Sequence, residues 1–180
     1  GIIGGIVVLL YSMGRLPISY LPLGEFFSGV VMGGGITLAC FTAQSGVFSW
    51  RILWYAMPPI LTIGLIMLTN NTCDIERDRP AGRRTLPVLL GRRRAAWLLK
   101  LLAAVSLILS GYIVFGRFRG GFFLFPVAAF AAMLHWVRLA ASPVDASERG
   151  LCMGCILKLT VTVNGCYCIM IVLHLLREVL

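Results

Sequence analysis

The chain has 180 residues, 59% of them hydrophobic and only 13% charged. A soluble domain carries about twice that share of charge, so the composition excludes a soluble globular protein and defines an integral membrane protein. The net charge of +9 does not point to nucleic acid, because the Lys and Arg of a membrane protein gather in its cytoplasmic loops and set its orientation.

Residues 2–10 (IIGGIVVLL) are apolar but too short to cross a bilayer, which takes about 20 residues. They read as the tail of a truncated helix. Residue 1 is Gly and no basic region precedes this run, so no signal peptide is recognised. The chain is expected to be a piece of a longer protein. Tyr11 to Glu25 is a loop with two prolines and Arg15. Phe26 to Ala43 is the next span, carrying Gly29-x-x-x-Gly33 and then Gly34 and Gly35. Such small residues permit close helix contact or leave room for a ligand; packing is the expected use.

Ile52 to Thr69 is a span containing Pro58-Pro59, tolerable where neighbouring helices satisfy the freed backbone groups. It leads into a polar island, Asn70 to Thr85. Arg92-Arg93-Arg94 precede the span Ala95 to Phe115, from which Lys100 is expected to snorkel back to the same surface. A turn at 116–120 leads to the span Gly121 to Ala141, with His135, Trp136 and Arg138 near its end. A polar loop, 142–150, precedes the last span, Leu151 to Leu175, which holds Lys158 and Asn164. For Asn164 an interhelical hydrogen bond is the simplest account.

This gives an all-α, multi-pass transmembrane helical bundle of five full spans and one truncated span, forming a single domain over residues 1–180. With the island on the cytoplasmic side, twelve of the sixteen Lys and Arg residues fall inside and four outside, as the positive-inside rule requires. Loops 11–25, 70–94 and 142–150 then share one face of the bundle in the cell membrane.

If the helix before the island runs on to Pro80, Asn70, Asp74 and Asp78 recur every four residues and stack along one face. Asn71 and Arg77 flank that stripe, and Glu76 points the other way. One reading is a magnesium site, since Mg²⁺ is usually held by one or two carboxylates plus substrate phosphates, with the arginines gripping the same phosphates. The other is a loop in which Asp and Arg neutralise each other and water does the rest. The spacing alone leaves both open. The six cysteines include Cys152-x-x-Cys155 and Cys166-x-Cys168, but with no His or acidic residue nearby they read as small apolar filler.

Asn70-Asn71-x-x-Asp74-x-x-x-Asp78-x-x-x-Gly82-Arg83-x-Thr85-Leu86-x-x-x-x-Gly91 resembles the second aspartate-rich motif of the UbiA superfamily of intramembrane aromatic prenyltransferases. The nearest branch is the 1,4-dihydroxy-2-naphthoate polyprenyltransferases of menaquinone biosynthesis. Tyr11-Ser12-x-Gly14-x-x-Pro17-x-x-Tyr20-x-x-Leu23-Gly24-Glu25 resembles the same branch. The two motifs together cover residues 11–91.

The resemblance implies a nine-helix bundle in which two Asp-rich motifs face each other near the cytoplasmic surface. They bind Mg²⁺ and the diphosphate of a polyprenyl donor. Ionisation leaves an allylic cation that an aromatic acceptor, here 1,4-dihydroxy-2-naphthoate, attacks. On this chain it implies Asp74 and Asp78 as catalytic metal ligands. Asn70, Asn71, Arg77, Arg83 and Arg84 would lie at the diphosphate, and Tyr11 and Tyr20 around the acceptor.

Three departures stand out. Arg83 occupies a position where the family often has Lys, which changes the contact geometry. Leu89 stands where many members have Arg, with Pro87 nearby. No carboxylate precedes Glu25, so the first Asp-rich motif is absent and the chain by itself is expected to be inactive. An ion-transporting fragment is the competing class, but its site is expected near the bilayer midplane on broken helices. A CDP-alcohol phosphotransferase would need an Asp-Gly…Ala-Arg element ahead of the two aspartates, and none is present.

Overall fold

The computed structural model describes residues 5, 6, 9, 17–117 and 121–179. Tyr11, Arg15 and most of the first apolar segment lie outside the described residues. The described elements are helices joined by turns, with no strand among them, so the all-α expectation is met.

Helix α1 runs Gly24–Ser45 and widens into a π-helical stretch at Gly29–Gly35. Four of those seven residues are glycine. A Cβ added to Gly33 would lie 2.5 Å from the Ile60 backbone N, and one on Gly29 would lie 2.4 Å from the Ile60 backbone O. Gly29 and Gly33 therefore serve close helix packing, backbone against backbone.

Helix α2 spans Ile52–Tyr55 and α3 spans Met57–Cys73. They join at Ala56, where Pro58 and Pro59 supply no N–H to the preceding turn. The predicted span Ile52–Thr69 is thus a broken element. Its long part has 17 residues, a rise of about 26 Å, somewhat less than the hydrocarbon thickness of about 30 Å. Then come α4 (Ile75–Asp78), α5 (Leu86–Leu90), α6 (Arg92–Arg117), α7 (Gly121–Ala141) and α8 (Arg149–Val179). Four described helices, not five, are long and apolar enough to cross a membrane: α1, α6, α7 and α8. The chain is a multi-pass helical membrane protein.

Helix α3 is the hub, packed against α1, α6 and α8. Leu65 and Leu68 of α3 meet Leu99 and Ala103 of α6, Leu139 of α7 and Ile156 and Leu159 of α8 in one buried cluster, which also takes in Cys73, Cys152 and Cys155. A second cluster, at the far end, joins Ile113 and Val114 of α6, Phe125 of α7 and Met170 of α8, with Cys166 among them. Asn164 Nδ2 donates to Thr62 Oγ1 at 2.9 Å, the interhelical bond expected of it.

Lys100 turns toward the end of α7 and the polar turn that follows it. Its Nζ donates to the carbonyls of Ala140 (2.7 Å) and Ser142 (3.2 Å). These lie at the end of α7, where carbonyls lack intrahelical partners and the helix dipole favours a cation. The ammonium is held by carbonyls at the end of α7 and the turn after it, beside the open cleft between that turn and α6.

Candidate active site

The polar island forms where α3 ends. The helix does not run unbroken to Pro80: Cys73 is its last residue, and Asp74 takes φ −97°, ψ 11°, in the sparsely populated bridge region. The hydrogen bonding nevertheless keeps a four-residue step. Asp74 N donates to Asn70 O at 3.1 Å, and Asp78 N donates to Asp74 O at 2.8 Å. The two carboxylates therefore stay on one side despite the break. They line a cleft of about 380 Å³ together with Tyr20, Arg77, Ala81 and Arg83. Gly82, at φ 73°, turns the chain so that Arg83 comes back to Asp78.

Each carboxylate has its own arginine. Arg83 Nη1 lies 3.1 Å from Asp78 Oδ1, and its guanidinium stacks 4.9 Å from the centre of the Tyr20 ring. The hydrogen bond to Asp78 holds the Arg83 pKa above its ordinary value. Arg149, the first residue of α8, reaches across the bundle. Its Nη1 lies 2.9 Å from Asp74 Oδ1, and its Nη2 2.5 Å from Asn70 Oδ1. Asp78 is the more enclosed carboxylate, with its side chain 4% exposed against 15% for Asp74. Its Oδ2 is buried and has no hydrogen-bond partner among the described residues.

A buried carboxylate oxygen without a donor is costly and suits a cation. No third His, Cys, Asp or Glu joins Asp74 and Asp78 among the described residues. Two carboxylates are sufficient where substrate phosphates complete the coordination of Mg²⁺. The donor set thus fits a magnesium ion that shares its shell with a phosphorylated ligand.

The predicted site residues divide into two groups. Asp74, Asp78, Arg77, Arg83 and Tyr20 come together at the cleft, and Asn70 joins them through Arg149. Asn71 does not. It turns instead to α1, where its Nδ2 donates to Glu25 Oε1 at 2.8 Å in a buried contact. Arg84 is exposed and does not line the cleft; its backbone N donates to Tyr20 O at 2.8 Å. Tyr11 is outside the described residues.

Three contributors are not evident from the aspartate-rich motif. Arg149 had no signal except its place in a polar loop on the same face. Glu25 is 6% exposed and anchors Asn71. Arg92 ties three elements together: Nη1 donates to Val144 O (2.6 Å) and Thr72 O (3.3 Å), and Nη2 pairs with Glu76. Val144 has φ 54° and is fully buried. That backbone is unfavourable for a β-branched residue, and Arg92 holds its carbonyl. Asp145 then accepts the Glu148 N–H at 3.1 Å just ahead of α8, which starts that helix and aims Arg149.

Fold and site together define an integral membrane protein with a carboxylate–arginine centre at the end of its central helix. The chain belongs to the UbiA prenyltransferase family, which matches residues 1–156. It is 38% identical over 117 residues to the 1,4-dihydroxy-2-naphthoate octaprenyltransferase of Bacillus subtilis (strain 168), covering 64% of this chain and 38% of that protein. It is 31% identical over 126 residues to the UbiA prenyltransferase domain-containing protein 1 homolog of Drosophila melanogaster, covering 69% of this chain and 34% of that protein. The human UbiA prenyltransferase domain-containing protein 1 is 32% identical over 88 residues, 49% of this chain and 26% of that protein. The matched stretches span between about a quarter and two fifths of the length of these relatives. No solved structure matches it.

Proposed function

We propose that this chain supplies one half of the active centre of an aromatic prenyltransferase. That enzyme transfers a polyprenyl group from its diphosphate to an aromatic acceptor, 1,4-dihydroxy-2-naphthoate, in menaquinone biosynthesis. The observation that carries this reading is the pair Asp74 and Asp78 in one arginine-rimmed cleft, with Asp78 Oδ2 buried and unpartnered. Family membership and the name of the Bacillus subtilis relative support the substrate pair. The facing Asp-rich motif would come from sequence preceding this segment. The dominance of Arg and Lys on this face supports a cytoplasmic cleft.

Asp74 and Asp78 would hold a magnesium ion, which supplies positive charge to a departing diphosphate. Arg77 lines the cleft and has no ion-pair partner among the described residues, so it is ready to meet a phosphate. Arg83 and Arg149 are each paired with a carboxylate at rest. An incoming diphosphate offers both a better-matched bidentate anion, and their release frees the carboxylates for the cation. The allylic C–O bond breaks with its electron pair leaving on the diphosphate, where fixed arginines stabilise the growing charge. The allylic carbon is then attacked by the electron-rich ring, which sheds a proton or carbon dioxide from the attacked carbon. The apolar helices around the cleft keep water from quenching the cation.

The test is expression of the longer reading frame in membranes, with a labelled polyprenyl diphosphate and 1,4-dihydroxy-2-naphthoate. Transfer that requires Mg²⁺, stops with EDTA and is lost in Asp74→Ala and Asp78→Ala supports the reading. Turnover that survives Asp74→Ala would show that the aspartates are loop charges. Turnover of a different acceptor alone would overturn the choice of naphthoate.

A further inference from the structure

A second cleft, of about 770 Å³, lies where the first turns of α6 meet the turn after α7. Its walls are Arg93, Arg94, Trp97, Lys100 and the Ser142–Pro143 turn, with Arg92 at its edge. It shares no lining residue with the aspartate cleft, and no carboxylate lines it. Arg92 is committed to Val144, Thr72 and Glu76. Arg93 and Arg94 are exposed and form no ion pair among the described residues. Lys100 spends two of its three donors on Ala140 and Ser142, which fixes its ammonium at the cleft.

The cleft also has an apolar continuation. Trp97, Leu101, Val105, Ile108 and Tyr112 are all exposed. Their spacing of four, four, three and four residues places them in one stripe along α6. A cationic recess thus opens at the head of an apolar stripe on a membrane-crossing helix, with Trp97, 66% exposed, at the junction. Aromatic side chains favour that level of a bilayer. The volume lies within the range of small-molecule sites, about 300–1,000 Å³.

We propose that this cleft binds the headgroup of an anionic glycerophospholipid, with its phosphate on Arg93, Arg94 and Lys100 and its acyl chains along the Trp97–Tyr112 stripe. Basic pockets between membrane helices are suited to such headgroups, and the stripe is what a free phosphate would leave unused. The site is independent of the prenyl-transfer reading, and its test reads binding, not turnover.

The full-length protein is purified in a neutral detergent and titrated with phosphatidylglycerol, phosphatidylcholine or inorganic phosphate, followed by thermal unfolding and by native mass spectrometry. Phosphatidylglycerol is expected to raise Tm and to remain bound, whereas phosphatidylcholine and inorganic phosphate do neither. Arg93→Ala with Arg94→Ala is expected to weaken phosphatidylglycerol binding about thirtyfold, from about 1 kcal/mol for each arginine at a membrane surface. Quenching of Trp97 by a brominated phosphatidylglycerol, taken as the difference from Trp97→Phe, reports occupancy of the cleft itself. Equal stabilisation by the two lipids, or by inorganic phosphate, would overturn the proposal. So would unchanged lipid affinity in the double variant. A double variant that keeps its lipid affinity and instead raises KM for the prenyl diphosphate would assign the cleft to the substrate.

Discussion

Arg149 Nη1 lies 2.9 Å from Asp74 Oδ1, although 75 residues separate the two in sequence. The same guanidinium holds Asn70 at 2.5 Å, so a single side chain from α8 fixes both the amide and the first carboxylate of the motif. A lysine cannot hold both acceptors in that planar fork. Arg149→Ala and Arg149→Lys should both lower kcat/KM for the prenyl diphosphate. The loss should be roughly 10- to 100-fold, the equivalent of about 1.5–3 kcal/mol for a hydrogen bond to a charged group. Full activity in Arg149→Lys would show that only charge matters there.

Asp78 should separate function from stability. Its Oδ2 is buried without a partner, an arrangement that costs folding energy and is useful only if a cation or a substrate group meets it. Asp78→Asn keeps the shape and removes the charge. Activity should fall roughly 100-fold or more, since several kcal/mol of charge stabilisation depend on the site, while Tm should stay level or rise. A fall in both would mark Asp78 as a structural partner of Arg83. EDTA should mimic the variant in the wild-type enzyme and add nothing to it in Asp78→Asn.

The helical architecture was legible because apolar runs near bilayer length leave few alternatives, and the four long helices begin and end within a few residues of the predicted spans. Residues of the two motifs, Asp74, Asp78, Arg77 and Arg83 of one and Tyr20 of the other, likewise meet at one cleft. What pattern could not supply was direction around the helix once it breaks. Asn71 lies next to Asn70 in sequence yet turns away from the cleft to Glu25 of α1. Arg149 and Arg92 were also hidden, because their partners lie on other elements and a charge near a span end reads only as topology. The acceptors of Lys100 were hidden for the same reason, because they are carbonyls at the end of α7 and the turn after it.

The Glu25–Asn71 bond can be tested through its asymmetry. Asn71 Nδ2 donates to Glu25 Oε1 at 2.8 Å, and both side chains are buried. Glu25→Gln still offers an acceptor to Asn71, so thermal stability should change little. Glu25→Ala leaves the amide donor buried and unmet, a cost of about 1–3 kcal/mol. A lowered Tm for the alanine variant alone fits an anchoring role. Equal loss of prenyl transfer in both variants, with Tm unchanged, would instead require the carboxylate charge itself.

Gly33 offers a test of the helix contact. A Cβ at this position would stand 2.5 Å from the Ile60 N and 2.7 Å from the Pro59 carbonyl carbon. Both are backbone atoms that no rotamer change can move. Gly33→Ala should destabilise by about 1–3 kcal/mol, the usual cost of overpacking. Gly35→Ala, whose Cβ would meet only Val30 O at 3.8 Å, should be nearly neutral. The comparison is made by thermal unfolding in detergent, and equal Tm values for the two variants would refute the packing role of Gly33.

The pH dependence of the clamp at Arg92 has a definite sign. The hydrogen bond from Arg92 holds the Glu76 carboxyl below its ordinary value. A carboxylate whose pKa is depressed by folding contributes stability above the unfolded-state value, and that contribution is lost as pH falls through the folded one. The Glu76 side chain is 66% exposed, so solvent screens the pair and the contribution stays under about 1 kcal/mol. Glu76→Gln should therefore lower Tm slightly at neutral pH, and its difference from wild type should shrink as pH falls through the acid range. The same guanidinium also holds the Val144 and Thr72 carbonyls. Arg92→Ala should cost more at every pH, because it leaves the strained Val144 turn unsupported and loosens the loop that aims Arg149 at Asp74. If Arg92→Ala and Glu76→Gln lower Tm and activity equally, the ion pair is the whole of the clamp and the carbonyl contacts contribute nothing.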